Sequence, residues 1–223
     1  MVADIGEPPS RKPCDHFLHV SRPYPDQNQP SGHFMDHQPM NHAFESLPRR
    51  IFLDSCTAQT LRDYGGYIYE AEPIPSSDRI NRVTDGIANI EALRDIFLIN
   101  ERAQFEWIVS HNSMQEAHDK DDPGHMQWLW DIADHSGICL EGDGPTAESK
   151  RLAARLDEAK FGYLSEKDRQ LLRDAVFLRC EAFLTVERRL PRNAAHIERE
   201  IGLRIVTPIM HWEMLRPWAA LWR

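Results

Sequence analysis

Apolar residues follow two different periods along this chain. Ile51, Phe52 and Leu53 form a short continuous run, and "AQFEWIVS" (103–110), "AFLTV" (182–186) and "LRIVT" (203–207) are similar runs. Short apolar runs rich in aromatic and β-branched residues predict buried strands. Between them the spacing changes to three and four. Ile80, Val83, Ile87, Ile90, Leu93, Ile96 and Phe97 predict one helix over 79–99. "TAQTLRDYGGYIY" predicts a short helix ending at Gly65-Gly66, since glycine commonly stops a helix. "NSMQEAHDK" predicts a helical turn entered through Asn112 or Ser113, and 123–137 a helix stopped by Gly137. Further helices are predicted over 147–162, after Ser165, over 192–202 and from Pro208. Ser165 followed by Asp168 three residues on resembles a capping box. Strands alternating with helices predict an α/β fold with a parallel sheet of four or five strands and helices on both faces. Such sheets gather functional groups at the C-terminal ends of their strands.

The first 47 residues depart from both periods. "SRPYPDQNQPSGHFMDHQPMNHAF" is rich in Pro, Gln, Asn and His. A disordered leader over 1–47 and a folded body over 48–223 are expected. The leader histidines, His16, His19, His33, His37 and His42, match no closed zinc spacing. Of the 223 residues 41% are hydrophobic and 27% charged, the balance of a globular protein, and no apolar run is long enough for a transmembrane helix. The N-terminus has no secretory apolar region. Cys14, Cys56, Cys139 and Cys180 form no C-x-x-C pair, so free thiols in a reducing cytoplasm are expected. The net charge of −9 argues against broad nucleic-acid affinity, yet leaves room for a site whose positive charge is a bound metal.

Four acids stand out by position. Asp54 ends the first strand, and Glu116 lies six residues after Ser110, which ends the second. Asp168 sits in the first turn of the helix before the third strand, and Glu187 follows Thr185 by two. Carboxylates converging at one sheet edge repel, and a divalent cation with oxygen preference, Mg²⁺ or Mn²⁺, relieves that. Each acid also has a plainer role open to it. Asp54 could accept bonds from the next helix, and Glu116 could be one surface charge among Asp119, Asp121 and Asp122. Asp168 complements a helix dipole, with Asp174 its rival one turn or more along, and Glu187 could pair with Arg188 or Arg189. Arg188, Arg189, Arg192, Lys167 and Arg169 form either a basic rim beside the acids or a solvated face. His111 and His118 flank Glu116, and the aromatic tail Trp212, Trp218 and Trp222 reads as core or a dimer contact.

The order and spacing of these segments resemble the PIN-domain ribonucleases, a family that includes toxins of toxin–antitoxin pairs. "IFLDSC" is similar to the family's first strand with its acid, and "FEWIVSHNSMQEAH" to its second strand and acid-bearing helix. "DRQLLRDAVFLRCEAFLTVERRL" is the most specific part, and "GLRIVTPIMHWEML" resembles the closing strand, Thr-Pro turn and helix. The resemblance covers roughly 49–215 and leaves inserts near 70–86 and 119–162. It implies a three-layer sandwich and metal-dependent cleavage of RNA. It places Asp54, Glu116, Asp168 and Glu187 as catalytic metal ligands for Mg²⁺ or Mn²⁺, supported by the hydroxyls of Ser55 and Thr185. An RNA substrate and a protein antitoxin or a homodimer are the implied partners. The family's fourth acid is usually Asp; Glu187 has a longer arm.

Two other functions are open. A PIN-like scaffold would bind RNA or a protein without cutting. A phosphohydrolase of the haloacid-dehalogenase type also begins with a strand ending in Asp, but its second acid two residues on is here Cys56. A dinucleotide site is not indicated, since no G-x-G-x-x-G follows a strand.

Overall fold

The computed structural model of the chain describes residues 43–119, 122–135 and 144–222. The leader up to residue 42 with its histidines, Gly137, Asp121, Cys14 and Cys139 lie outside the described residues.

Each of the four apolar runs contains a strand: β1 (Arg50–Leu53), β2 (Glu106–Ile108), β3 (Ala182–Leu184) and β4 (Arg204–Val206). They form one parallel sheet in the order β2-β1-β3-β4. Phe52, Ile108, Phe183 and Ile205 point to one face, and Ile51, Leu53, Trp107, Ala182, Leu184 and Val206 to the other. Both faces are covered, which is why the runs are continuously apolar rather than alternating. Phe52 and Phe183 stack with ring centroids 5.1 Å apart. Burying each such side chain contributes about 1.5–3 kcal/mol.

Nine α-helices are described: α1 (Ser55–Asp63), α2 (Gly65–Glu70), α3 (Gly86–Ala103), α4 (His111–Asp119), α5 (Pro123–His135), α6 (Ala147–Ala154), α7 (Glu166–Phe177), α8 (Ala194–Ile201) and α9 (Pro208–Leu215). Apolar residues of α1, α2, α3, α5 and α9 cover one face of the sheet, and those of α6, α7 and α8 the other. The result is a three-layer α/β arrangement. No helix among the described residues is long and apolar enough to cross a membrane.

Several boundaries differ from the sequence expectation. Gly65-Gly66 does not stop a helix but opens α2: the break comes at Tyr64, with φ −113° and ψ 20°, and Ile68 is then buried. The helix expected over 79–99 begins only at Gly86. Asp78 accepts the Ile80 N–H and holds Arg79–Arg82 in a 3₁₀ turn, and Asp85 turns left-handed at φ 60°. The chain can close on itself there because residue 86 lacks a Cβ, which would lie 2.6 Å from the Ile80 carbonyl oxygen. Gly86→Ala is therefore expected to lower stability by about 1–3 kcal/mol, the usual cost of overpacking, read by urea unfolding. An unchanged midpoint would show that this approach is not a constraint.

The helix expected over 147–162 stops at Ala154. Two 3₁₀ turns, Arg155–Asp157 and Ala159–Phe161, follow and bury Leu156 and Phe161. α4 starts at His111 because Ser110, rather than Asn112 or Ser113, supplies the cap: its Oγ accepts the Ser113 N–H at 3.2 Å. Packed structure also begins before residue 48. Leu47 is buried, and Phe44 rests on Trp218 and Trp222, both centroids 5.6 Å away. The aromatic tail is thus core on this side of the molecule. The capping box at Ser165 and Asp168 is present in both directions.

Candidate acidic site at the C-terminal sheet edge

The strand order creates a crevice. From β1 the chain leaves through α1 on one face of the sheet; from β3 it leaves through α8 on the other. Adjacent parallel strands whose connections depart to opposite faces leave a gap beyond their C-terminal ends, the usual ligand position in open α/β sheets. Asp54 and Thr185 are the residues that follow β1 and β3.

Asp54 extends the ladder by donating its N–H to the Leu184 carbonyl at 3.1 Å. Its side chain is 6% exposed. Although it stands at the N-cap position of α1, it makes no side-chain cap bond to that helix. It instead accepts the Thr185 hydroxyl at 2.8 Å. Thr185 in turn accepts the Glu187 N–H at 3.0 Å, so the same hydroxyl fixes both acid-bearing segments. Thr57 ties α1 to the same place: its hydroxyl donates to the Leu184 carbonyl and accepts the Val186 N–H, each at 3.1 Å.

Asp54, Cys56 and Glu187 each bring one ligand atom within 4.8 Å of the others. The Cys56 thiol donates to Glu187 Oε1 at 3.4 Å. Burial pushes the Asp54 carboxyl up to about 7 from 3.8, and the Glu187 charge pushes the same way. The Thr185 hydroxyl and the Ser55 N–H only partly offset them, and Asp168 adds a smaller upward push. A buried carboxylate facing another carboxylate is a local excess of negative charge, the condition that a divalent cation relieves.

Of the four acids expected to converge, the structure brings two together. Glu116 is not in that group: its Oε2 accepts the Ser55 hydroxyl at 2.8 Å and its Oε1 faces Lys167 at 3.6 Å. Ser55 therefore supports Glu116, whereas Thr185 supports Asp54. Asp168 lies outside that group, though its charge still acts on Asp54, and its carboxylate accepts the Ser165 N–H at 3.1 Å. Its rival Asp174 is buried and held by Asn112 at 2.7 Å and Gln170 at 3.1 Å. His111 and His118 are exposed and belong to no metal-capable group among the described residues. Cys56 is the member that sequence reasoning missed, having weighed it only as an absent acid. Its position in the first turn of a helix entered directly from Asp54 was the available signal.

The basic residues do not make one rim. Arg169 turns back to Glu166 at 2.6 Å, and Arg189 to the Tyr163 carbonyl. Two clefts flank the acids. One, of ≈ 190 Å³, lies between α4 and α7 and includes Glu116 and Lys167; the other, of ≈ 220 Å³, includes Glu187, Arg188 and Arg192. Comparison with protein-family models, curated proteins and solved structures finds no match to this chain.

Proposed function

We infer that this protein is a metal-dependent endoribonuclease that hydrolyses RNA phosphodiester bonds at the acidic crevice. The observation that carries the reading is Asp54, a buried carboxyl raised to about 7 that shares its crevice with Glu187. The resemblance of 49–215 to PIN-domain ribonucleases supplies the reaction class. Asp54 and Glu187 would hold a divalent cation, whose chemistry when bound is activation of a water and stabilisation of charge at phosphorus. Thr185 fixes the Asp54 carboxylate, and the Ser55 hydroxyl, one residue on, holds Glu116. The Cys56 thiol makes the donor set softer than carboxylates alone, which favours Mn²⁺ over Mg²⁺.

The test is end mapping of products from a mixed RNA pool, with Mn²⁺, Mg²⁺ and EDTA side by side. Cleavage that needs metal and leaves a 5′-phosphate and a 3′-hydroxyl is expected. Products ending in 2′,3′-cyclic phosphate, or cleavage unaffected by EDTA, would overturn the reading. A non-cutting scaffold is the second reading, favoured by the engagement of Asp168 in its cap and of Glu116 with Lys167. RNA binding without cleavage under any of these conditions would select it.

A further inference from the structure

The cleft beside Glu187 has features that the acidic centre does not use. Arg188 and Arg192 line it together with Glu187, Asn89 of α3 and Thr207 at the start of α9. Arg188 has Asp85 at 3.8 Å, but both side chains are more than half exposed, so the pair is weak. Arg192 is exposed and makes no ion pair or hydrogen bond among the described residues. The Thr207 oxygen accepts the Met210 N–H at 3.2 Å, which leaves its hydroxyl proton for another acceptor.

We propose that this cleft takes the phosphate of the RNA nucleotide next to the one being cut, so that Arg188 and Arg192 set the direction in which the strand crosses the acidic crevice. This rests on the nuclease reading of the crevice. Guanidinium groups present planar paired donors that match phosphate oxygens, and they keep their charge at any working pH. The Thr207 hydroxyl adds a neutral donor. Glu187 belongs both to the cleft and to the acidic group, so the cleft opens directly onto the place of chemistry. Of the rest of the predicted rim, Arg169 turns to Glu166 and Arg189 to the Tyr163 carbonyl, while Lys167 lies in the other cleft beside Glu116. On a chain of net charge −9, the cleft places Arg188 and Arg192 against Asp85 and Glu187, so its own lining is formally neutral and its two guanidinium groups are donors that a phosphate can reach.

The experiment is fluorescence anisotropy of a labelled single-stranded RNA in EDTA, titrated with wild type, Arg188→Ala/Arg192→Ala and the control Arg151→Ala. Arg151 lies on α6, outside the cleft, paired with Glu148. The double variant is expected to lose about tenfold or more in affinity. Its plot of log affinity against log salt should flatten by about 0.7, the contribution of one phosphate on a single strand. Arg151→Ala should match wild type, and Arg188→Lys/Arg192→Lys should recover part of the loss. Equal loss in the Arg151 control would reduce the effect to net charge and overturn the proposal. So would a double variant that binds as wild type does, and metal-dependent cleavage by wild type in that case would leave the nuclease reading standing. Wild type that binds but never cleaves, with binding lost in the double variant, would keep the cleft and remove the nuclease. Thermal shift with inorganic phosphate separates the two sources of the anion. A phosphate response lost in the double variant while RNA affinity is unchanged would make the cleft a small-anion site and overturn the RNA assignment.

Discussion

Asp54→Asn is expected to remove metal-dependent RNA cleavage and, in the same protein, to raise the melting temperature of the metal-free form. The two effects have one cause. Burial and the Glu187 charge hold the Asp54 carboxyl at about 7 instead of 3.8. A carboxyl raised in this way binds its proton in the folded state when the unfolded chain has already released it. Its contribution to stability is present below 3.8 and is lost as pH rises through about 7, to a total on the order of 4 kcal/mol. The amide of Asn fills nearly the same volume, can still accept the Thr185 hydroxyl and carries no charge. A gain of roughly 2–4 kcal/mol at pH 8 should raise the melting temperature by at least about 4 °C, given about 2–4 °C per kcal/mol for a chain of this size.

Mn²⁺ should narrow that difference from the other side. A ligand that binds only the native state adds about 2.7 kcal/mol at a hundredfold excess over Kd, so wild type should gain with metal and Asp54→Asn should not. Cleavage should fall at least ~10²-fold in the variant, by comparison with loss of a single oxyanion donor. Glu187→Gln should approach that loss because its carboxylate lies in the same group, while Glu116→Gln and Asp168→Asn should cost less. Scanning calorimetry with and without Mn²⁺, beside a cleavage assay, reads both effects. An equal metal response in wild type and Asp54→Asn would place the ion elsewhere.

His211→Leu is expected to stabilise the protein, and to do so more strongly at low pH. His211 is fully buried on α9 with Phe105 beside it, and neither ring nitrogen has a hydrogen-bond partner among the described residues. Each unsatisfied buried polar group costs about 1–3 kcal/mol. Burial first, and the nearby Arg204 second, lower its pKa from 6.5 to about 3. Between those values the unfolded chain takes up a proton that the folded chain refuses. The contribution of His211 to stability is therefore complete above 6.5 and is lost as pH falls toward 3, at about 1.4 kcal/mol per pH unit. Leu has no such slope.

Asp54 has the opposite slope over an overlapping range, so the two largely cancel in wild type between about 4 and 6.5. Each single variant should uncover the other. Stability of Asp54→Asn should rise with pH there, and that of His211→Leu should fall. Urea unfolding from pH 4 to 8 measures both as differences from wild type, in which the remaining groups drop out. A constant difference between wild type and His211→Leu would show that the imidazole titrates in the same way folded and unfolded, contrary to its burial.

Much of the architecture is written locally. The run Ile51 to Leu53, the capping box at Ser165 and Asp168 and the Thr207-Pro208 helix start each lie within a few consecutive residues, and each is found where the pattern puts it. Apolar period and cap chemistry act over one or two turns of chain, so a sequence displays them directly. The breaks at Tyr64, Asp85 and Ala154 were not legible, because no glycine or proline stop stands at those positions in the pattern. Gly86 meets the Ile80 carbonyl, and Leu156 and Phe161 both have to reach the core.

The site divides in the same way. Sequence alone determined that acids stand at strand ends, that Asp54 directly follows a buried strand and that Thr185 is near an acid. Only the tertiary structure decided which of them meet. The order β2-β1-β3-β4 makes β1 and β3 neighbours and so joins Asp54 to Thr185 and Glu187. Asp168 also bonds its cap, Glu116 takes Ser55 and Lys167 as partners, and Cys56 joins Asp54 and Glu187. A carboxylate's partner is chosen by distances of a few ångströms between segments far apart in the chain. Those distances are set by strand order and register, which a local pattern does not encode.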